Sequence, residues 1–242
     1  MKYLILFLLF LLSFLSSCIA NDPPYCPQSV TLDIGANIVT IPDNKYKNCT
    51  QLQVVKFASN PALTSIGEYS FSGTGLTTLE IPSSVVHIGA YAFAYCHDLV
   101  NITLSTNTNY DTIEDGLFEY SGLSHIIIPS NIDSINSKAF GTNNNLVLIH
   151  FNANEKFTSM NETSFFGSTN LEVNIDYPHK LIEDELVTMG NNQQFFGATG
   201  VTVILSVPSG QPSGKPSMIP LAVPTSQPSE ILNAKTIYSP LV

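Results

Sequence analysis

Aromatic residues recur along this chain at intervals that leave little choice of fold. Tyr46, Phe71, Phe93, Phe118 and Phe140 stand 25, 22, 25 and 22 residues apart, Phe165 follows after another 25, and Phe196 continues the series more loosely. A Leu follows each of the first six: Leu52, Leu76, Leu99, Leu123, Leu146 and Leu171. Three residues after the first five of these come Val55, Leu79, Ile102, Ile126 and Ile149, and two further on Phe57, Ile81, Leu104, Ile128 and Phe151. Ahead of the aromatics stand Ile41, Ile66, Ile88, Ile113, Ile135 and Met160. A period of roughly 20–29 residues carrying L-x-x-I-x-I marks a leucine-rich repeat. In one unit Leu99, Ile102 and Leu104 face inward around a short strand while the residues between face out. One such turn cannot bury its apolar side alone, but stacked turns share a core. The expected fold is a β-rich solenoid: a leucine-rich-repeat coil of about six to seven 22–25-residue turns with terminal caps.

The alternating step makes a superperiod. IPSSVVHIGAYAF, from residue 81, returns as IPSNIDSINSKAF from residue 128, 47 residues later. In the short units Pro82 and Pro129 follow the strand directly and stop ladder pairing. In the long units an Asn-bearing excursion follows instead: FASNPALTSI, LSTNTNYDTI and FNANEKFTSM. The pattern sets boundaries: an N-terminal cap over 21–38, repeats over 39–175, a degenerate repeat and C-terminal cap over 176–207. After Phe165 the pattern departs, since Val173 and Ile175 follow Leu171 at two and four residues rather than three and five. FFGATGVTVILSVP, from Phe195, reads as a stretched final unit.

The segment SIGEYSFSGTGLTTLEIPSSVVHIGAYAFAYCHDLVNITL resembles the BspA-like leucine-rich repeat family, whose units carry I-G-x-x-A-F, a Cys or Gly shortly after, and L-x-x-I-x-I-P. That resemblance implies a secreted or surface-exposed protein that adheres to a protein or host-matrix partner. It implies no catalytic residues.

The ends agree with export. Residues 1–20 read as a signal peptide: Lys2, an apolar run from Tyr3 to Leu12, then small residues. The run is shorter than the ~20 residues a membrane span needs, so no membrane span is expected in the mature chain. Cleavage after Ala20 leaves Asn21 first; a lipobox reading of Leu15–Cys18 would instead put lipid on Cys18. The formal charge is −10, with no Arg, which makes nucleic acid and anionic membranes poor partners. Residues 208–242 read as a Pro-rich disordered tail, with prolines at 208, 212, 216, 220, 224 and 228.

Cys49 and Cys96 occupy the same repeat slot two turns apart, about 10 Å along the coil, too far for a disulfide. Cys26 can reach Cys49 and staple the N-terminal cap; Cys96 is then a buried small hydrophobe. Sequons at Asn48, Asn101 and Asn161 are candidate glycosylation sites. The outward strand positions supply the candidate ligand surface: Lys56, Glu80, Thr103, His125, Ile127, Leu148 and His150. His125 and His150 lie one turn apart in different columns with no third ligand, so neither a metal nor another cofactor is expected. H-E-x-x-H, G-x-S-x-G and G-x-x-x-x-G-K are absent, and the acids of IEDEL (182–186) read as a solvated face, so an enzyme is not expected. Trp is absent, which leaves any sugar-stacking role to Tyr or Phe. The expected function is binding or adhesion to an extracellular protein or glycan. The alternatives are a self-associating wall or coat component and an ectodomain fragment of a larger receptor.

Overall fold

Each apolar triplet becomes one rung of a parallel ladder. In the computed structural model the rungs, with all strands numbered in chain order, are β1 (Thr31–Ile34), β3 (Val54–Phe57), β5 (Thr78–Glu80), β7 (Asn101–Thr103), β9 (His125–Ile128), β11 (Leu148–Phe151), β13 (Glu172–Asp176) and β16 (Thr202–Val207). The structure describes residues 26–176, 194–196, 198–199, 201–207 and 237–240. The signal peptide, the IEDEL acids and the proline run lie outside these residues.

Registers follow the repeat grammar. Ile126 pairs with Ile149 and Ile149 with Val173, while Ile128 pairs with Phe151 and Phe151 with Ile175. The departure after Phe165 is thus one residue lost ahead of the strand, not loss of the strand: Val173 and Ile175 are buried in register. β16 continues the ladder, Val203 beside Val173. β17 (Ile237–Pro240) pairs in parallel with β16, a strand inside the segment expected to be an unstructured tail.

The sequence reading assigned one strand per turn; the structure has two. The apolar residue ahead of each aromatic closes a two-residue strand: β2 (Thr40–Ile41), β4 (Ser65–Ile66), β6 (His87–Ile88), β8 (Thr112–Ile113), β10 (Ser134–Ile135) and β12 (Ser159–Met160). They form two three-stranded parallel sheets, β2-β4-β6 and β8-β10-β12, with Ile41 beside Ile66, Ile66 beside Ile88, and Ile135 between Ile113 and Met160. A small antiparallel pair, β14 (Gln194–Phe195) and β15 (Ala198–Thr199), follows β13. No described residue is in a helix.

Between the ladder and the short strands runs the core. Phe71, Phe93, Phe118, Phe140 and Phe165 are fully buried, and with Tyr46 they stack ring on ring at centroid distances of 5.1–5.9 Å. Burying each ring contributes about 1.5–3 kcal/mol, and stacking adds about 0.5–1.5. Three residues after each ring a small polar side chain lies buried under the turn: Thr74, Cys96, Ser121, Asn143 and Ser168. They answer the carbonyls that the turn leaves inside. Cys96 Sγ donates to Phe71 O at 3.2 Å, Asn143 Nδ2 to Phe118 O at 2.8 Å and Ser121 Oγ to Asn143 Oδ1 at 2.7 Å. Cys96 is buried and free, and burial pushes its thiol up. It is therefore a rung of a polar ladder, not only the apolar filler expected. In the first turn the same slot holds Cys49, disulfide-bonded to Cys26 with Cα atoms 5.1 Å apart.

The superperiod corrugates one edge. Excursions of the long units form ridges, and the short turns after Pro82 and Pro129 form valleys. Asparagine side chains clamp ridge to valley: Asn107 Nδ2 donates to Ser83 O at 2.8 Å and Asn154 Nδ2 to Ile132 O at 2.7 Å. Asn131, from a valley, donates to Ser105 O, Asn107 O and Tyr110 O of the neighbouring ridge. The sequence marks these residues as turn formers; their clamping role comes only with stacking.

Candidate functional site

A regular coil offers function only its outward side chains, and three surfaces stand out. The first is the strand face. Alternation along the rungs places Lys56, Glu80, Thr103 and Ile127 in one exposed column, and His150 takes the next position of that column, half-buried. Asn101 and His125 are exposed in the column beside it, with Leu148 half-buried after them. The column changes character along the coil. Lys56 pairs in register with Asp33 at the N-terminal end. Towards the C-terminal end Ile127 is 58% exposed, with Leu148 and the exposed valines Val100 and Val147 nearby on adjoining rungs.

His125 and His150 do not converge. His125 Nδ1 bonds Ser124 Oγ at 2.8 Å, whereas His150 Nε2 meets Asp176 Oδ2 at 3.0 Å. Asp176, Val100 and Val147 were not picked out from the sequence. Asp176 reaches His150 only because the lost residue before β13 sets the register of that strand. Among the described residues no cluster of three or more His, Cys, Asp or Glu side chains is placed to hold a metal ion. The three sequon asparagines Asn48, Asn101 and Asn161 are all exposed. In the last, Asn161 Oδ1 already accepts from Thr163 Oγ1 at 2.7 Å.

The second surface is the groove over the Pro129 valley, lined by Thr106, Thr108, Ser130, Asn152, Glu155 and Lys156. The third is the turn edge, on which the sequence reading placed no site. Two residues after each of the six rings, and two before every one but Phe165, the backbone is left-handed: Asn44, Tyr69, Tyr91, Gly116 and Lys138 before, Asn48, Gly73, Tyr95, Tyr120, Thr142 and Gly167 after. Asn and Gly tolerate that conformation, whereas a bulky residue there is strained by about 1–2 kcal/mol. Four of these positions hold Tyr. Tyr69 stacks on Tyr91 at 4.9 Å and 4°, and Tyr95 on Tyr120 at 5.2 Å and 8°. Lys47 Nζ lies 4.1 Å from the Tyr69 ring centre. A Cβ at Gly116 would overlap the Tyr91 ring, so glycine there makes room for it. Partial burial first, then a nearby carboxylate, Glu68 for Tyr69 and Glu119 for Tyr91, raises both hydroxyls above their ordinary value. A sequence signal exists: Tyr stands two residues from a repeat Phe at Tyr69, Tyr91, Tyr95 and Tyr120.

The model of the BspA type leucine rich repeat region matches in six copies, over residues 24–147 and 64–189. The chain belongs to this family. Among solved structures the chain is similar to a leucine-rich repeat protein from Bacteroides ovatus, with 21% identity, a TM-score of 0.41 and 74% of this chain covered. It spans 56% of that protein's length. It is also similar to the pneumococcal vaccine antigen PcpA, at 12% identity and TM-score 0.36, covering 77% of this chain and 72% of that one. A leucine rich cell surface protein from Faecalibacterium prausnitzii matches at 15% identity and TM-score 0.35, covering 74% and 73%. No curated protein matches the chain.

Proposed function

We propose that this BspA-type repeat protein is an exported binding protein that adheres to an extracellular protein or glycan through its strand face. The observation that carries the reading is Ile127, a large apolar side chain 58% exposed on β9, the edge strand of a five-stranded parallel sheet, and flanked by His125, Leu148 and His150. A rigid sheet holds these groups at fixed spacing, so little side-chain order is lost on binding. An apolar centre with polar neighbours is the make-up of an interaction hot spot. The signal-like N-terminus and the negative charge support export and a neutral or basic partner.

The test is surface binding of the purified chain to immobilised matrix proteins and intact cells, beside the variant Ile127→Glu. The variant changes an exposed side chain and keeps the fold, which circular dichroism checks. The reading expects at least about tenfold weaker binding, about 1.4 kcal/mol. Equal binding by variant and parent removes the strand face as the site. Addition of a glycan at Asn101, on the same face, should weaken binding as Ile127→Glu does.

A further inference from the structure

The turn edge breaks a local rule in a way that folding alone does not require. Equivalent left-handed slots hold Asn44, Asn48, Gly73, Gly116 and Gly167, residues suited to that backbone, and Lys138 and Thr142, which like Tyr are not. The coil therefore closes its turns without Tyr. Yet Tyr69, Tyr91, Tyr95 and Tyr120 adopt φ of 53–60° and hold their rings at the surface. Tyr95 is 44% exposed and Tyr120 40%. Clustered backbone strain of this kind is more often retained for a site than for stability.

The column that carries Tyr95 also has a gap. Along the coil it reads Asn48, Gly73, Tyr95, Tyr120, with Gly73 N donating to Ala94 O and Tyr95 N to Glu119 O from turn to turn. Tyr120 covers one face of the Tyr95 ring. The other face looks towards Gly73, which has no side chain. One coil step, about 4.8 Å, separates the two levels, enough for one flat ring against Tyr95. Asn48 leans over the far side: its Oδ1 lies 2.6 Å from where a Gly73 Cβ would be. Glu119 lies on the same edge, 3.8 Å from Lys138 Nζ.

We propose that this slot is a saccharide subsite, in which a neutral pyranose ring lays its C–H face on Tyr95 above Gly73 and turns its hydroxyls to Asn48 and Glu119. An aromatic floor with a few convergent polar groups is the make-up of a small-ligand site. An apolar side chain in the same place would cover the Asn48 amide and the Glu119 carboxylate without pairing them. A nucleobase on its phosphate chain is opposed by the net charge of −10. The site lies off the strand face and stands or falls apart from the adhesion reading.

The experiment uses the full mature chain made in a bacterial host, so that Asn48 carries no glycan. A panel of neutral oligosaccharides of glucose, galactose, mannose and N-acetylglucosamine is screened by saturation-transfer NMR, and hits are titrated by tyrosine fluorescence, which no Trp obscures. The expected result is binding of at least one, with transfer strongest to ring C–H protons. Tyr95→Ala and Gly73→Tyr should each weaken it at least about tenfold. Gly73→Tyr fills the slot and pushes the Asn48 side chain aside, so circular dichroism on this variant and on Tyr95→Ala separates blocked binding from lost fold. Ile127→Glu should leave saccharide binding unchanged. Failure of every oligosaccharide to bind below about 10 mM overturns the proposal. So does binding that survives both Tyr95→Ala and Gly73→Tyr.

Discussion

Tyr110 offers the sharpest test of the packing argument. Its side chain is 2% exposed and its hydroxyl has no hydrogen-bond partner within the coil. The slot belongs to the long units: 47 residues on it is filled by Phe157, and 47 residues back by Leu63, both buried. Neither neighbour needs an oxygen there. A buried hydroxyl without a partner costs about 1–3 kcal/mol. Tyr110→Phe removes that cost and leaves an oxygen-sized void of about 10 Å³, which returns about 0.2 kcal/mol at roughly 24 cal/mol per Å³. The expected gain is about 1–2 kcal/mol. With a urea slope of about 2–3 kcal/mol per molar, the midpoint should rise by about 0.5 M. The assay is urea unfolding at neutral pH, followed by far-ultraviolet circular dichroism on parent and variant with equal slopes. A midpoint lowered by more than about 0.3 M refutes the reasoning, since the hydroxyl must then be bonded.

Alkaline pH should unfold the protein through the same group. Burial raises the Tyr110 hydroxyl far above its ordinary value, and Tyr69 and Tyr91 are raised as well. A raised folded pKa keeps its full stabilisation below about pH 10 and loses it as pH climbs through the folded values. Tyr110→Phe should therefore move the alkaline unfolding midpoint to higher pH, read by circular dichroism; an unmoved midpoint counts against the argument. Reducing the Cys26–Cys49 bond, which closes a 23-residue separation, should cost about 3 kcal/mol, seen as a lower melting temperature with reductant that Cys49→Ser reproduces. Gly116→Val should cost about 3 kcal/mol or more, because its Cβ meets the Tyr91 ring and its φ of +57° suits glycine. Lys138→Gly, at the equivalent slot in the next turn, should be neutral to mildly stabilising in the same melting assay, since it relieves a φ of 52°.

What could be read in the sequence was whatever repeats. Phe93, Leu99, Ile102 and Leu104 announce ring, corner and strand because every turn needs them in the same place. The second strand of each turn was not legible: Ser65–Ile66 and His87–Ile88 offer two residues and one apolar side chain, too short for a period-two pattern. The change of register before β13 looked like decay, because a strand is recognised by spacing from Leu171 and one residue was missing from it. The strand-face residues followed from alternation alone, so Ile127 and His125 were found and the His150–Asp176 contact was not. The tyrosine edge left a signal, Tyr two residues from a repeat Phe, but that spacing does not reveal the left-handed φ at Tyr69, Tyr91, Tyr95 and Tyr120 or the stacking of their rings.

The spine of stacked rings also decides how this molecule behaves under load. Ring stacks on ring one step at a time, so a pull along the coil loads these contacts in series. The coil should yield as a zip does, one turn per event, each releasing about 80 Å of chain for a turn of 25 residues. The covalent clasp between Cys26 and Cys49 takes the first turn out of that series, because force entering from the N-terminal side passes across the sulfur bridge and leaves the loop behind it slack. A protein of this build, held at one end in flowing fluid, lengthens in steps from its unclasped end and keeps its clasped end folded longest.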